Sequence, residues 1–115
     1  MAIEIRDDRA AGRLEAYEGA EPVGVIAYFV LGPGPGAGAL VAVHTVVEPG
    51  HEGKGIAGDL VRTFYGIAAA EQVAVVPLCP YAASWAARHP EEAPQPAAEV
   101  VAAAKRQLDS DSALW

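Results

Sequence analysis

Arg13–Tyr17 alternates polar and apolar residues, the two-residue period of a half-buried strand, and Gly19-Ala20-Glu21-Pro22 follows with turn chemistry. Val23–Leu31 is then an unbroken, β-prone apolar run. That is the pattern of a strand covered on both faces, or on one face and by a ligand on the other. Gly32-Pro33-Gly34-Pro35-Gly36-Ala37-Gly38 offers nothing to bury and is expected to be an exposed, mobile hairpin loop. Leu40–Val47 is another strong strand. Three or four strands in succession without an intervening helix predict an antiparallel meander.

The period then changes. Between Lys54 and about Gln72, the apolar residues Ile56, Leu60, Phe64 and Ile67 recur at i, i+4, i+8 and i+11, one face of a helix. Val73–Val76 is a short apolar strand ended by Pro77. A second helix is expected from about Pro80, since proline suits a first helical turn, to Arg88, since the residue before Pro90 avoids the α region. Glu91–Gln95 reads as a linker. A third helix, roughly Pro96–Leu108, places Ala97, Val101, Ala104 and Leu108 on one side. No internal repeat is visible. The order β-β-β-β-α-β-α predicts an α+β fold, a central mixed and mostly antiparallel sheet of about five strands with helices packed on it. The organisation expected is one domain over residues 1–92 and a C-terminal extension over 93–115, built on one helix at about 96–108.

Composition narrows the function. With 115 residues the chain is one domain by the usual prior, long enough for a real core. One cysteine excludes an intrachain disulfide, and three histidines beside it form no zinc pattern, so no metal is expected. The longest apolar run, Val23–Leu31, falls far short of the roughly 20 residues a membrane helix needs. Met1-Ala2-Ile3-Glu4 lacks the basic start and apolar stretch of a signal peptide. The expectation is a soluble, cytoplasmic protein that does not engage membranes. Eight basic residues stand against 15 acidic ones, for a net charge of −7, and the basic residues are scattered. Nucleic acid is therefore not an expected partner, while cationic partners such as amines are favoured.

The most informative stretch is Val43-His44-Thr45-Val46-Val47-Glu48-Pro49-Gly50-His51-Glu52-Gly53-Lys54-Gly55-Ile56-Ala57-Gly58-Asp59-Leu60. A strand ends, glycines cluster, and an amphipathic helix begins at once. Glycines there let backbone approach a ligand, and the first helical N–H groups with the helix dipole form an anion site suited to phosphate. Lys54 adds a point charge. Equally, Gly53, Gly55 and Gly58 serve a tight turn and close helix–sheet packing. No Gly-x-x-x-x-Gly-Lys-Ser/Thr motif occurs, and the meander ahead of the turn argues against a dinucleotide-binding βαβ unit.

Glu52-Gly53-Lys54-Gly55-Ile56-Ala57, between a strand and a long helix, resembles the acetyl-CoA pyrophosphate loop of the GNAT superfamily of N-acetyltransferases, which reads Gln/Arg-x-x-Gly-x-Gly/Ala. His44-Thr45-x-Val47 before the loop, Val76-Pro77-Leu78-Cys79-Pro80-Tyr81 after the helix, and Arg88-His89-Pro90-Glu91 resemble the small, single-domain, GNAT-like predicted N-acetyltransferases. Those proteins lack the usual N-terminal helices. The resemblance covers roughly Ile3 to Glu91 and implies a GNAT-like domain that takes acetyl-CoA as co-substrate. The cofactor contacts it implies fall on Val46, Val47, Glu52, Gly53, Lys54, Gly55, Ile56, Ala57 and Cys79, with the pantetheine arm between the strands Leu40–Val47 and Val73–Pro77. Two positions depart from the pattern. Glu52 stands where the loop has Gln or Arg, and Val46 stands where the small family commonly has an acid directly after His-Thr.

Four side chains are candidates for chemistry. Cys79 is the only thiol, just ahead of Pro80 at a helix start, where the dipole favours thiolate. It reads either as a small buried hydrophobe or, as the resemblance implies, as an acetyl acceptor or thioester-side base. His44 is placed by strand alternation on one face with Leu40, Ala42 and Val46, either as a core or edge histidine or as a general base. Tyr81 is a candidate acid for the leaving CoA thiolate, or a packing residue. His51, in the loop, reads as an exposed histidine or a phosphate contact. Glu48 is the acid nearest the missing one, His89 reads as helix-terminal, and Trp85 as packing. The expected reaction is acetyl transfer from acetyl-CoA to an amine, directly or through Cys79, with small polyamine, amino acid and protein lysine all open as acceptors. The alternatives are a catalytically degenerate CoA-binding module, and an interaction module in which the Ala97–Leu108 stripe docks a partner. That stripe can equally cover its own sheet or form a homodimer.

Overall fold

The computed structural model describes residues 3–32, 38–51, 53 and 55–110. Its elements run β1 (Ile3–Asp8), β2 (Arg13–Glu18), β3 (Glu21–Leu31), β4 (Ala39–Val47), α1 (Ile56–Glu71), β5 (Ala74–Pro77), α2 (Pro80–Arg88) and α3 (Ala98–Ser110). The expected α+β fold is present. One five-stranded sheet has the order β1-β2-β3-β4-β5, antiparallel except for the parallel β4–β5 pair, and no helix precedes or interrupts the meander among the described residues. Of the expected glycine-proline loop over residues 32–38, residues 33–37 lie outside the described residues.

β3 begins at Glu21 rather than Val23. Glu18 pairs with Glu21 across a two-residue Gly19-Ala20 turn, and Tyr17 pairs with Pro22 beside a bulge that accommodates the proline's missing N–H. On one face of the sheet, Leu14, Ala16, Ile26, Tyr28, Leu40 and Ala42 meet Ile56, Leu60, Val61, Phe64 and Ala68 of α1. The helical face read from Ile56, Leu60, Phe64 and Ile67 is the one buried, with Val61 and Tyr65 widening it. Tyr28 donates to Asp7, and Arg9 donates to the Tyr28 hydroxyl and pairs with Glu71. This network ties the first hairpin to the far end of α1.

On the other face, α3 covers Ala39, Val41, Val43 and Val76 through Ala104, Val100, Val101 and Leu108. The C-terminal apolar stripe thus serves its own sheet, although Ala97 precedes the helix and is exposed. Glu91–Gln95, read as a linker, is an anchored turn instead. The Glu92 and Ala93 amides donate to the His89 carbonyl, Ala93 is buried in the core, and Arg62 reaches Glu92 at 2.9 Å.

β4 carries the feature that positions everything else. Ala27 pairs with His44 and Tyr28 with Ala42, so Val43 is an extra residue and the strand bulges there. One inserted residue inverts the parity of all that follows. This corrects the alternation-based placement of His44. Leu40 and Ala42 face α1, whereas His44 and Val46 lie on the opposite face, and Thr45 and Val47 take the α1 side opposite Ile26 and Gly24.

Candidate functional site

β5 pairs with β4 only from Ala39↔Ala74 to Ala42↔Pro77. Proline ends the ladder, and both the Leu78 and Cys79 amides donate to the Ala42 carbonyl as its last rung. Among the described residues no strand pairs with Val43–Val47 on that edge, so the two strands part at the bulge. Into this opening points the start of α1. Gly24 brings the helix down onto the sheet: a Cβ there would lie 3.1 Å from both Ile56 and Leu60 side-chain atoms. Gly53 and Gly55 have φ of 81° and 80°, a conformation side chains rarely adopt, and open space lies where a Cβ would stand. The glycines therefore serve the turn and leave its surface bare. Gly55 is the N-cap and supplies no side-chain cap, so the first-turn amides, which have no intrahelical acceptor, face outward at the positive end of the dipole.

Between the open edge of β4 and this helix start lies a cavity of about 470 Å³, lined by Thr45, Val47, His51, Gly53, Gly55, Ile56, Ala57 and Tyr81. Of the sequence-derived cofactor residues, Val47, Gly53, Gly55, Ile56 and Ala57 meet here. Val46 does not, because the bulge turns it to the other face, where it is 53% exposed. Glu52 and Lys54 lie outside the described residues. A Cβ at Gly58 would lie 3.8 Å from both the Tyr81 hydroxyl and the Trp85 indole nitrogen, so these polar tips sit over the first turn of α1.

Cys79 is the N-cap of α2, with Pro80 in the first turn, and is 4% exposed. Its thiol donates to the Thr45 hydroxyl at 3.3 Å, a side-chain contact across the gap where the backbone ladder has stopped. Thr45, named only as part of a motif in the sequence, is the residue that joins Cys79 to the cavity. Nothing in the period of β4 marks it, since a strict alternation puts residue 45 on the other face. His44 is separated from both by the sheet. His89 caps α2, donates its Nδ1–H to the Trp85 carbonyl at 2.9 Å, and stacks on Trp85 at 4.2 Å, while Trp85 is buried as packing. Tyr65, stacked beneath Trp85, is held protonated by burial, with its pKa pushed up to about 12.

A second hollow of about 690 Å³ lies between α2 and α3, walled mainly by Pro77, Leu78, Ala83, Ala87, Pro94 and Val101. Lys105 and Gln95 are the long, flexible polar side chains of its lining. Among the described residues no group of metal-ligating side chains occurs and no helix is long and apolar enough to cross a membrane.

Comparison with known proteins agrees with this geometry. A family model described as GCN5-related N-acetyl-transferase matches residues 13–95, from the start of β2 to the turn after α2. No curated protein matches the chain. Among solved structures, the chain is similar to the ribosomal-protein-alanine N-acetyltransferase of Brucella melitensis biovar Abortus 2308, with 26% identity, a TM-score of 0.55, and coverage of 78% of this chain and 68% of that one. The family generally uses acetyl-CoA as co-substrate with an amine acceptor. A match over most of the chain and a shared fold lead to one conclusion: this chain belongs to the GCN5-related N-acetyltransferase family and is an acetyltransferase.

Proposed function

We propose that the protein is a cytoplasmic enzyme that moves an acetyl group from acetyl-CoA to an amine, with the pyrophosphate on backbone N–H groups of residues 53–57 and the pantetheine arm in the split between β4 and β5. The observation that carries this reading is the cavity where a bare, uncapped helix start meets a strand edge left open beyond Ala42. An anion favours the first feature, and the second offers backbone donors and acceptors to an amide-containing chain.

In the direct reaction the neutral amine nitrogen bonds to the thioester carbonyl carbon, the carbon–sulfur bond breaks, and the CoA thiolate takes a proton. Tyr81, with its hydroxyl over the helix start, is the donor on the cavity side. His44, on the opposite face, serves as base for an amine arriving from that side. In the stepwise variant the Cys79 sulfur, having given its proton to a base, bonds to the thioester carbonyl carbon while the carbon–sulfur bond to CoA breaks and the CoA thiolate takes a proton. The neutral amine nitrogen then bonds to the acetyl carbon, and the Cys79 sulfur leaves and regains its proton. The contact from Cys79 to Thr45 puts that sulfur next to the cavity wall.

Calorimetric titration of wild type and Cys79→Ala with acetyl-CoA, followed by mass spectrometry, tests both forms. Binding by both proteins, with an adduct of about 42 Da on wild type alone, supports the stepwise route. Binding by both with amine-dependent CoA release but no adduct supports direct transfer. Absence of binding overturns the reading.

A further inference from the structure

α2 is a wall shared by two cavities. Tyr81 lines the one at the start of α1, whereas Ala83, Ala86 and Ala87 line the hollow of about 690 Å³ between α2 and α3. The buried residues Tyr65, Val76 and Ala93 form the inner wall of that hollow, and Val101 and Lys105 of α3 stand across it from α2. Pro77, Pro90, Pro94 and Pro96 also belong to its lining. Proline has a fixed φ and no N–H, so these stretches are stiff and bring no backbone donor of their own. A preformed apolar hollow of this size, with a few polar groups, has the form of a small-molecule site.

The charge of this lining runs against that of the molecule. The chain carries 15 acidic residues and eight basic ones, yet among the described residues of the lining Lys105 is the only charged one. Glu91 and Glu92, in the adjoining turn, line a separate hollow of about 250 Å³, and Glu92 pairs with Arg62. Three polar side chains of the lining can donate: the exposed Lys105 ammonium, the Gln95 amide, and the Tyr65 hydroxyl, which burial keeps protonated. An ammonium at the mouth of an apolar groove complements a carboxylate carried on an apolar body. The hollow also extends beyond what the family shares. The match to the family model ends at residue 95, whereas Pro96, Val101 and Lys105 come from the segment that follows.

We infer that the groove between α2 and α3 is a second ligand site, for an apolar monocarboxylate of the fatty-acid kind, with its alkyl chain against Tyr65, Leu78, Ala87 and Val101 and its carboxylate at Lys105. Burial of methylene groups supplies most of the affinity, and the ammonium fixes which end enters. The ligand differs in chemistry from one held at the start of α1, because a diphosphate has no apolar body for such walls to cover. No bond is made or broken, and the site stands whether or not acetyl-CoA occupies the other cavity.

The probes are decanoate, hexanoate and decanol, titrated into the full chain while amide chemical shifts are followed. Decanoate is expected to saturate a single site and to move the amides of Ala83, Ala87, Val101 and Lys105. Hexanoate, with a shorter chain to bury, should bind at least about tenfold more weakly. Decanol, which lacks the charge, should bind about fivefold more weakly. Lys105→Gln should weaken decanoate about fivefold and leave decanol unchanged, a division that a merely structural lysine would not produce. Ala87→Trp, at an exposed helix position, fills the groove from α2 and should abolish binding, as should Val101→Trp from α3. The inference is overturned by no decanoate binding, by equal binding of decanoate and either other probe, or by binding that survives both tryptophan variants. A dimer in sedimentation whose groove amides do not respond to decanoate also overturns it and assigns the groove to a second copy. None of these failures touches the acetyl-CoA reading, which is tested at the other cavity.

Discussion

Leu40–Ala42 and Thr45–Val47 belong to one strand and stand three residues apart, yet they have different environments. The first segment has a neighbour on each edge, β3 on one side and β5 on the other, and is buried on both faces by α1 and α3. The second is paired by β3 alone, and its α1-facing residues line the cavity. The chemical character of the residues differs little, Leu-Val-Ala against Thr-Val-Val, both short aliphatic triplets but for the one hydroxyl of Thr45. What separates core from site is that Pro77 stops the parallel ladder at Ala42 and Val43 bulges directly after it. A strand edge becomes available to a ligand where its protein partner ends.

That contrast can be broken from the closed side with the largest effect. Leu40→Ala removes a side chain that is 1% exposed and leaves a void between sheet and α1, so urea unfolding is expected to show a loss of about 2–5 kcal/mol. A loss below about 1 kcal/mol would mean that the closed half is no more critical to the fold than the open one.

Alkaline pH also attacks the closed half, through Tyr28, which pairs with Ala42 beside the bulge. Burial, reinforced by the hydrogen bond to Asp7, pushes its pKa up from 10.0 to about 12. The folded-state value is the higher one, so the stabilisation is complete below about pH 10 and is lost as pH rises toward about 12, on the order of 2 kcal/mol. Tyr65, shifted the same way by burial, adds to the slope. Unfolding midpoints measured across that window should decline in wild type and decline less in Tyr28→Phe, and equal slopes would remove Tyr28 from the account.

The smallest effect on folding belongs to the open half. Thr45→Val keeps the shape and deletes only the hydroxyl that accepts from the Cys79 thiol, so stability should change by less than about 1 kcal/mol. Acetyl-transfer rate, in contrast, should fall severalfold and recover in Thr45→Ser. A rate unchanged in Thr45→Val, or a stability loss rivalling Leu40→Ala, would erase the distinction between the two halves.

Much of this was legible from residue order. The face Ile56–Leu60–Phe64 is the buried face of α1, Pro80 opens α2, and the glycines between β4 and α1 make a bare helix start. Each rests on local geometry, whether a 3.6-residue period, a fixed proline φ or a positive φ that glycine tolerates. Other features were not legible. Glu91–Gln95 carries linker residues but is pinned by Ala93, a burial that depends on the space left beside Tyr65 and α1. His51 reads as an exposed loop histidine until the β2–β3 turn places Glu18 and Glu21 against it.

By itself the sequence determined the order of elements, the helical faces and the motif that marks the family. Only the tertiary structure decided which of His44 and Thr45 faces the cavity, that Cys79 meets Thr45, and that the apolar stripe of α3 covers its own sheet. The physical reason is the same in each case. Periodicity reports the conformation of a segment, whereas a one-residue bulge, a ladder that stops and a contact between distant side chains are settled by how strands and helices pack against one another.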